Sequence, residues 1–374
     1  MPVNPNDLKK TFLLIAIITL FLGCKKDRID FDKKIVESIE TWDESGGRVD
    51  WHPNNNKILF DKENQGRFDL YISNPERTSQ TNLTESMTGK TIDGQYIESW
   101  QHRGQPAWHP TGNYLVFQVM NEHANTTPET EEFLSLGVNN DLWFMHADGT
   151  HIQKLTDNPS GYAVLHAHFS HSGNKIMWAE RYSNDESASI FGAWRIVLAD
   201  FSIDGNGFAS LTNKTTIQPE GAKWYETHSF STDDSKIYFS GNLTTDHKAS
   251  NIYSYDLSSG SLTNLTNEPS QWHEMYNICP TNKDKFSFIS SCFFDWNNNF
   301  GWATLRTELY IYDGEVKQLT FYNQTKKRNS KKLTSTHYFI GDHCRSPDGK
   351  SLLAVLAGAK IGKTTNKIVK INLK

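Results

Sequence analysis

One short hairpin, written six times, constrains this chain more than any other feature. Its clearest copy is Trp108-His-Pro-Thr-Gly-Asn-Tyr-Leu-Val-Phe117. Pro110 presets the turn, Gly112 accepts a positive φ without a Cβ clash, and residues 114–117 form an apolar β-rich run. The other copies begin at Trp51, Phe169, Phe230, Ile278 and Arg345, the Ile278 copy with a one-residue slip. Each leads into a further strand: Asp69-Leu-Tyr, Asp141-Leu-Trp, Trp194-Arg-Ile, Asn251-Ile-Tyr, Glu308-Leu-Tyr and Lys367-Ile-Val. A Leu-Thr tag then closes a short fourth strand at Leu83-Thr84, Leu155-Thr156, Leu211-Thr212, Leu265-Thr266 and Leu319-Thr320. Strand patterns do not alternate with helical ones, which excludes a parallel α/β sheet. Four-stranded sheets in such a series cover both faces and hide their edges by packing radially around an axis. The expected fold is all-β, a six-bladed β-propeller.

The last repeat holds three strands before Lys374 and has no Leu-Thr tag. A spare strand-like stretch, Lys34-Ile-Val-Glu-Ser-Ile-Glu-Thr-Trp42, precedes the first hairpin. It is expected to pair with residues 367–373 and close the ring.

Ahead of that strand, Lys9 and Lys10 precede an apolar run from Thr11 to Leu22. The run has the length of a signal-peptide core and falls short of the ~20 residues of a spanning helix. Gly23-Cys24 ends it and resembles the lipobox of bacterial lipoproteins, with Phe21 where leucine is usual. That resemblance implies lipidation of Cys24. It divides the chain into a signal peptide (1–23), a tether (24–33) and the propeller (34–374). Acyl chains would hold the protein on a membrane of the cell envelope, with the outer membrane, on its periplasmic or surface side, as the expected location. The formal net charge is -5 with 22% charged residues, and no basic face suggests nucleic acid. Cys279, Cys292 and Cys344 leave an odd number of thiols besides Cys24, and no structural disulfide is expected.

Ser346-Pro-Asp-Gly-Lys350, the Asp-Leu-Tyr and Asp-Leu-Trp strands and the Leu-Thr tags resemble the TolB-type, WD-repeat-like propeller repeat. The resemblance spans about residues 34–374. Arg345 stands where that family has an aromatic, and the fifth copy lacks the Asp-Gly turn. The family includes periplasmic TolB proteins and the propellers of prolyl-oligopeptidase relatives. TolB's own N-terminal α/β domain has no counterpart between the lipobox and the first strand. The resemblance implies a fold and leaves the role open, because propellers host many functions.

In a propeller the first strand of each blade lines the axis. The polar residues ahead of the hairpins are His166 and His168, Glu226 and His228, His273 and Glu274, and His337, Asp342 and His343. Histidines and carboxylates from successive blades can form a metal or acid–base site at a shared mouth. Polar residues lining a wet channel also need no ligand. No tight metal-binding spacing is present, so no cofactor is expected and a divalent metal stays the open alternative. Trp224 and Trp272 precede two hairpins, and Trp296 and Trp302 sit in an aromatic insertion; all four are candidates for sugar or peptide contacts. Long insertions at 85–104, 121–140, 291–307 and 321–339 are where binding residues usually gather. There is no Gly-x-Ser-x-Gly elbow, phosphate-binding glycine loop or Cys-x-x-Cys pair. The chain therefore reads as a monomeric, lipid-anchored, non-catalytic propeller that binds or scaffolds envelope proteins or glycans. The alternative is a metal-dependent enzyme resembling oligogalacturonate lyases, with the histidines as its site. A purely structural envelope component is a third reading.

Overall fold

The computed structural model describes residues 31–126, 136–243, 249–291, 305–324, 337–360 and 363–374. Strand β1 (Val36–Asp43) precedes blade one, which is β2 (Gly46–Trp51), β3 (Ile58–Asn64), β4 (Arg67–Ser73) and β5 (Gln80–Asn82). A small ribbon, β6 (Thr91–Ile92) with β7 (Gln95–Tyr96), leads to blade two. That blade is β8 (Arg103–Trp108), β9 (Tyr114–Met120), β10 (Asn140–His146) and β11 (Gln153–Lys154). Blade three is β12 (Ala163–Phe169), β13 (Lys175–Ser183), β14 (Ala193–Ile203) and β15 (Ala209–Ile217). Blade four is β16 (Tyr225–Phe230), β17 (Lys236–Gly241), β18 (Asn251–Asp256) and β19 (Leu262–Asn264). Blade five is β20 (His273–Cys279), β21 (Asn282–Ser290), β22 (Glu308–Tyr312) and β23 (Val316–Gln318). Blade six is β24 (His337–Arg345), β25 (Ser351–Lys360) and β26 (Lys363–Leu373), completed by β1. The fold is the six-bladed β-propeller read from the repeats. Its closing strand runs antiparallel to β26, from Val36 opposite Leu373 to Asp43 opposite Ile368.

Strand alternation builds the core. In β9, Leu115, Phe117 and Val119 pack toward blade one, while Val116 packs toward blade three. In β10, Trp143 and Met145 face blade one, and Leu142 and Phe144 face blade three. A strand buried on both faces reads as a near-continuous apolar run, because successive side chains feed two different interfaces. Apolar clusters fill every gap between neighbouring blades, including the gap between blades six and one that β1 borders through Trp42.

The Asp-Leu-Tyr and Leu-Thr motifs turn out to be two halves of one clasp. The Thr320 hydroxyl donates to Glu308 Oε2 (2.5 Å) and accepts from the Leu309 amide (3.0 Å). Thr84 does the same with Asp69 and the Leu70 amide, Thr156 with Asp141 and Leu142, and Thr266 with Asn251 and Ile252. In each of these four blades the outer strand ends just before the tag. Blade three departs from the expectation of a short strand closed by Leu211-Thr212. Arg195, opposite Glu180, occupies the position of the acid, so Thr212 lacks the partner that holds the tag in the other blades and lies inside the longer β15, opposite Asp200. The fifth hairpin also departs: Cys279 pairs with Asn282, so its turn is tighter than the repeat spacing implies. Cys279 and Cys344 are free thiols, and Cys292 lies outside the described residues.

Two outcomes follow. Thr320→Val should cost roughly 1–3 kcal/mol in urea unfolding, because the buried Glu308 carboxyl and Leu309 amide lose their partner. Thr212→Val, the same motif without an acid, should stay within about 0.5 kcal/mol of wild type. Val36 is fully buried between blades five and six, so Val36→Asp should cost about 3 kcal/mol or more and lower the single unfolding midpoint.

Candidate functional site

Every inner strand breaks register with its neighbour. The shifts fall between Gly46 and Val49, Gly104 and Ala107, Leu165 and His168, Thr227 and Ser229, Glu274 and Asn277, and Ile340 and Asp342. A bulge leaves backbone groups without ladder partners and re-aims side chains. Gln105, His166 and Met275 adopt the left-handed region there, with φ of 50°, 47° and 59°, a conformation that is costly for residues with a Cβ. Gly47 answers a different need, since a Cβ there would lie 1.9 Å from Asp61 Oδ1.

The exposed backbone groups are satisfied by the next blade. Asp61 accepts from the Arg48 amide in its own blade and from the Gln105 amide in blade two, both at 2.9 Å. Asp50 accepts from the Trp108 amide at 2.7 Å. Gln105 Oε1 accepts from the His166 amide at 3.3 Å, and the Thr227 hydroxyl donates to the His166 carbonyl at 2.5 Å. His228 Nε2 accepts from the Met275 amide at 3.2 Å, and His343 Nε2 meets the Ser287 hydroxyl at 2.7 Å. Asp342 accepts from the Val49 amide at 3.3 Å, while Arg48 donates to the Gly341 carbonyl at 2.5 Å. These contacts run through all six blades and back to the first.

Inside that circle lies an axial cavity of about 240 Å³. Arg48, Asp50, His166, His168, His228, Asp342 and His343 line it together with Ser229, Asn277, Trp108, Phe169 and Tyr276. It reaches the surface beside the hairpin turns at Pro53 and His171. Behind its wall, His166 Nδ1 is 3.2 Å from Glu226 Oε1, and the Glu274 carboxyl lies beside that of Glu226. His166 Nε2, Glu226 Oε2, Glu274 Oε1, Ser229 Oγ and Asn277 Oδ1 have no hydrogen-bond partner among the described residues.

Burial sets the electrostatics. It pushes His168 down to about 4 and His343 to about 3, and holds His166 and His228 well below the usual histidine range. These imidazoles are neutral at pH 7. Burial also raises Glu226 to about 7, Asp61 to about 7 and Asp50 to about 6, with Arg48 opposing the rise at Glu226 and Asp61. Glu274 is raised further by burial and by the Glu226 charge beside it.

The sequence-derived candidates divide accordingly. His166, His168, His228, Asp342 and His343 converge on the cavity, within the inner strands rather than at a mouth, because the bulges turn them onto the axis. Glu226 and Glu274 form the layer behind. His273 begins β20, is buried with burial lowering it to about 4, and sits beside Phe288. His337 begins β24, at the end of that strand remote from the cavity. Trp224 and Trp272 are core residues, 2% and 1% exposed, packed with Trp194 and Phe191, and present no face to a ligand. Trp296, Trp302 and Cys24 lie outside the described residues, as do parts of the insertions at 121–140, 291–307 and 321–339. The insertion at 85–104 folds onto the ring, burying Met87 and Ile97 against blades one and two. Among the described residues, no three His, Cys, Asp or Glu side chains are placed to hold a metal ion. Sequence reading missed Arg48, Asp50 and Gln105. Their signal was positional: Arg48 and Gln105 stand three residues before their hairpins, as His166 does, and Asp50 one before, as His168 does.

No protein-family model and no curated protein matches this chain. Solved structures do. A TolB candidate from Agrobacterium tumefaciens aligns with a TM-score of 0.50 at 16% identity, covering 88% of this chain and 90% of that one. A puromycin-hydrolyzing peptidase from Mycobacterium tuberculosis aligns with a TM-score of 0.50 at 11% identity, over 87% of this chain and 46% of that one. TolB from Acinetobacter baumannii aligns at 0.49 and 13% identity; this chain covers 88% of itself and 63% of that protein. At such identities the likeness is one of fold, TolB-like in its propeller.

Glu226 supplies a test of the axial electrostatics. Its folded carboxyl keeps a proton up to about pH 7, whereas the unfolded one releases it near 4.5. Its contribution is therefore lost as pH rises from about 4.5 to about 7, on the order of 3 kcal/mol in all. The buried histidines act in the opposite sense, losing stability as pH falls from about 6.5 toward 4. The difference between variants isolates the carboxyl. Glu226→Gln should gain stability relative to wild type between pH 5 and about 7.5, read by urea unfolding. A pH-independent difference would mean that Glu226 is ionised against a charged His166.

Proposed function

We propose that this chain is an exported, lipid-anchored propeller that binds a protein or glycan ligand of the cell envelope at its axial cavity and does not transform it. The observation that carries the reading is the set of buried polar atoms without protein partners along one open cavity. Buried polar groups are normally satisfied, so these are groups a ligand or ordered water completes. The neutral histidines on the wall also suit hydrogen bonding better than general acid–base work near pH 7, and Glu226, raised to about 7, lies behind them. The lyase alternative draws less support from the geometry, since its histidines reach one cavity but no three His, Cys, Asp or Glu side chains among the described residues are placed to hold one metal ion.

Topology supports an outward-facing site. Inner strands end at the hairpin turns beside the cavity opening, whereas outer strands run the other way and end at the Leu-Thr tags. Phe31 bridges to Thr320, beyond the outer strand of blade five. A tether from Cys24 would therefore reach the ring on the face opposite the cavity opening. No helix among the described residues is long and apolar enough to cross a membrane, and membrane attachment in this proposal rests on the Lys9-to-Cys24 segment.

Two experiments test it. Cys24→Ser should move the protein from the membrane fraction to the soluble fraction; retention in the membrane would contradict the lipid anchor. Peptide and envelope-glycan arrays probed with wild type should yield ligands whose binding Ser229→Trp, which fills the cavity, abolishes without lowering Tm. Binding unaffected by that plug would place the ligand elsewhere.

A further inference from the structure

The charges around the axis do not balance. Asp50, Asp61, Glu226, Glu274 and Asp342 crowd the inner strands and the adjacent β3. Arg48 is the cation whose field acts on Asp61, Glu226, Glu274 and Asp342. Its guanidinium Nη1 donates to the Gly341 carbonyl. A second guanidinium, Arg345, neighbours Cys279, and its field reaches His343. Two of the carboxylates, Asp50 and Asp342, face the cavity itself.

The neutral groups on the wall lean the same way. His166 is 8% exposed and lines the cavity, and its Nε2 has no partner. With Nδ1 directed at Glu226, the neutral ring carries its proton there and presents a lone pair at Nε2. Asn277 adds a carbonyl oxygen, Oδ1, that is likewise without a partner. Acceptors and carboxylates repel phosphate or carboxylate ligands and favour a donor that carries positive charge. Trp108, Phe169 and Tyr276 add apolar wall, which suits the alkyl part of an organic cation better than a bare metal ion.

We infer that the axial cavity is a binding site for an organic ammonium group, seated between Asp50 and Asp342 with His166 Nε2 and Asn277 Oδ1 accepting its N–H bonds. A volume of about 240 Å³ suits one alkylammonium arm rather than an oligosaccharide. The same chemistry comes from a free diamine or from a lysine side chain of a peptide. The inference names the ligand chemistry of the cavity proposed above and rests on that reading.

Calorimetric titration of the full chain in detergent tests it, using n-butylammonium, 1,4-diaminobutane and a blocked glycyl-lysyl-glycine peptide, with butan-1-ol and butanoate as controls. The ammonium compounds should bind saturably and the controls should not. A stronger response to the peptide than to the diamine identifies a lysine side chain as the source; the reverse identifies a free polyamine. Asp342→Asn should weaken binding roughly tenfold. Because Asp342 also holds the Val49 amide, a second variant guards against misfolding. Asn277→Lys places a tethered ammonium in the cavity and should abolish amine binding while raising Tm. Equal binding of butan-1-ol and butylammonium, or undiminished amine binding by Asn277→Lys, would overturn the inference. So would the absence of any amine response while an array ligand still binds and is blocked by Ser229→Trp; that last result would leave the binding propeller standing.

Discussion

The bulge in each inner strand is the constraint from which the rest of the structure follows. Six strands converging on one axis cannot all keep regular ladders with their neighbours, and the register shifts release backbone groups toward the centre. Buried amides and carbonyls need partners. Here the partners come from the next blade: Asp61 for Gln105, Gln105 for His166, His228 for Met275 and Asp342 for Val49. Each blade thus holds its neighbour at the axis by hydrogen bonds, while apolar clusters hold them together farther out. The polar axial residues are structural before they are anything else.

That dual use explains why the site looks as it does. A side chain that clasps a neighbouring backbone group is fixed in one orientation, and its remaining polar atom is presented rigidly to the cavity. His166 is the clearest case, with its backbone held by Gln105 and Thr227, its Nδ1 by Glu226, and its Nε2 left over. Preorganisation of this kind lowers the ordering cost of binding. The same burial keeps the histidines neutral, so the charged side chains that face the cavity are Arg48, Asp50 and Asp342.

Much of the fold was legible in the sequence because its signals are local. Pro110 and Gly112 mark a turn, the apolar runs mark strands buried on both faces, and a last repeat of only three strands leaves a place for residues 34–42. The Leu-Thr tag misled in blade three because its meaning depends on an acid or amide 15 or so residues earlier, and Arg195 stands in that place. The site was only half legible. Its histidines stood out as a residue type, but Arg48, Asp50 and Gln105 looked like ordinary strand residues. A bulge shifts the facing of a side chain by one position, and one sequence does not show where the shift falls. Trp224 and Trp272 misled because they stand just ahead of β16 and β20 and pack with Trp194 and Phe191 in the core, away from the cavity.

Amide hydrogen exchange at the bulges tests this account most directly. If the axial clasps hold the ring, the Gln105, His166 and Met275 amides should exchange only with global unfolding, as slowly as the central strands, although none of them has a ladder partner. Exchange of these three amides at the rate of exposed turn residues such as Asn54 would show that the blades are not joined at the axis, and the cavity would lose the rigid wall on which its chemistry depends.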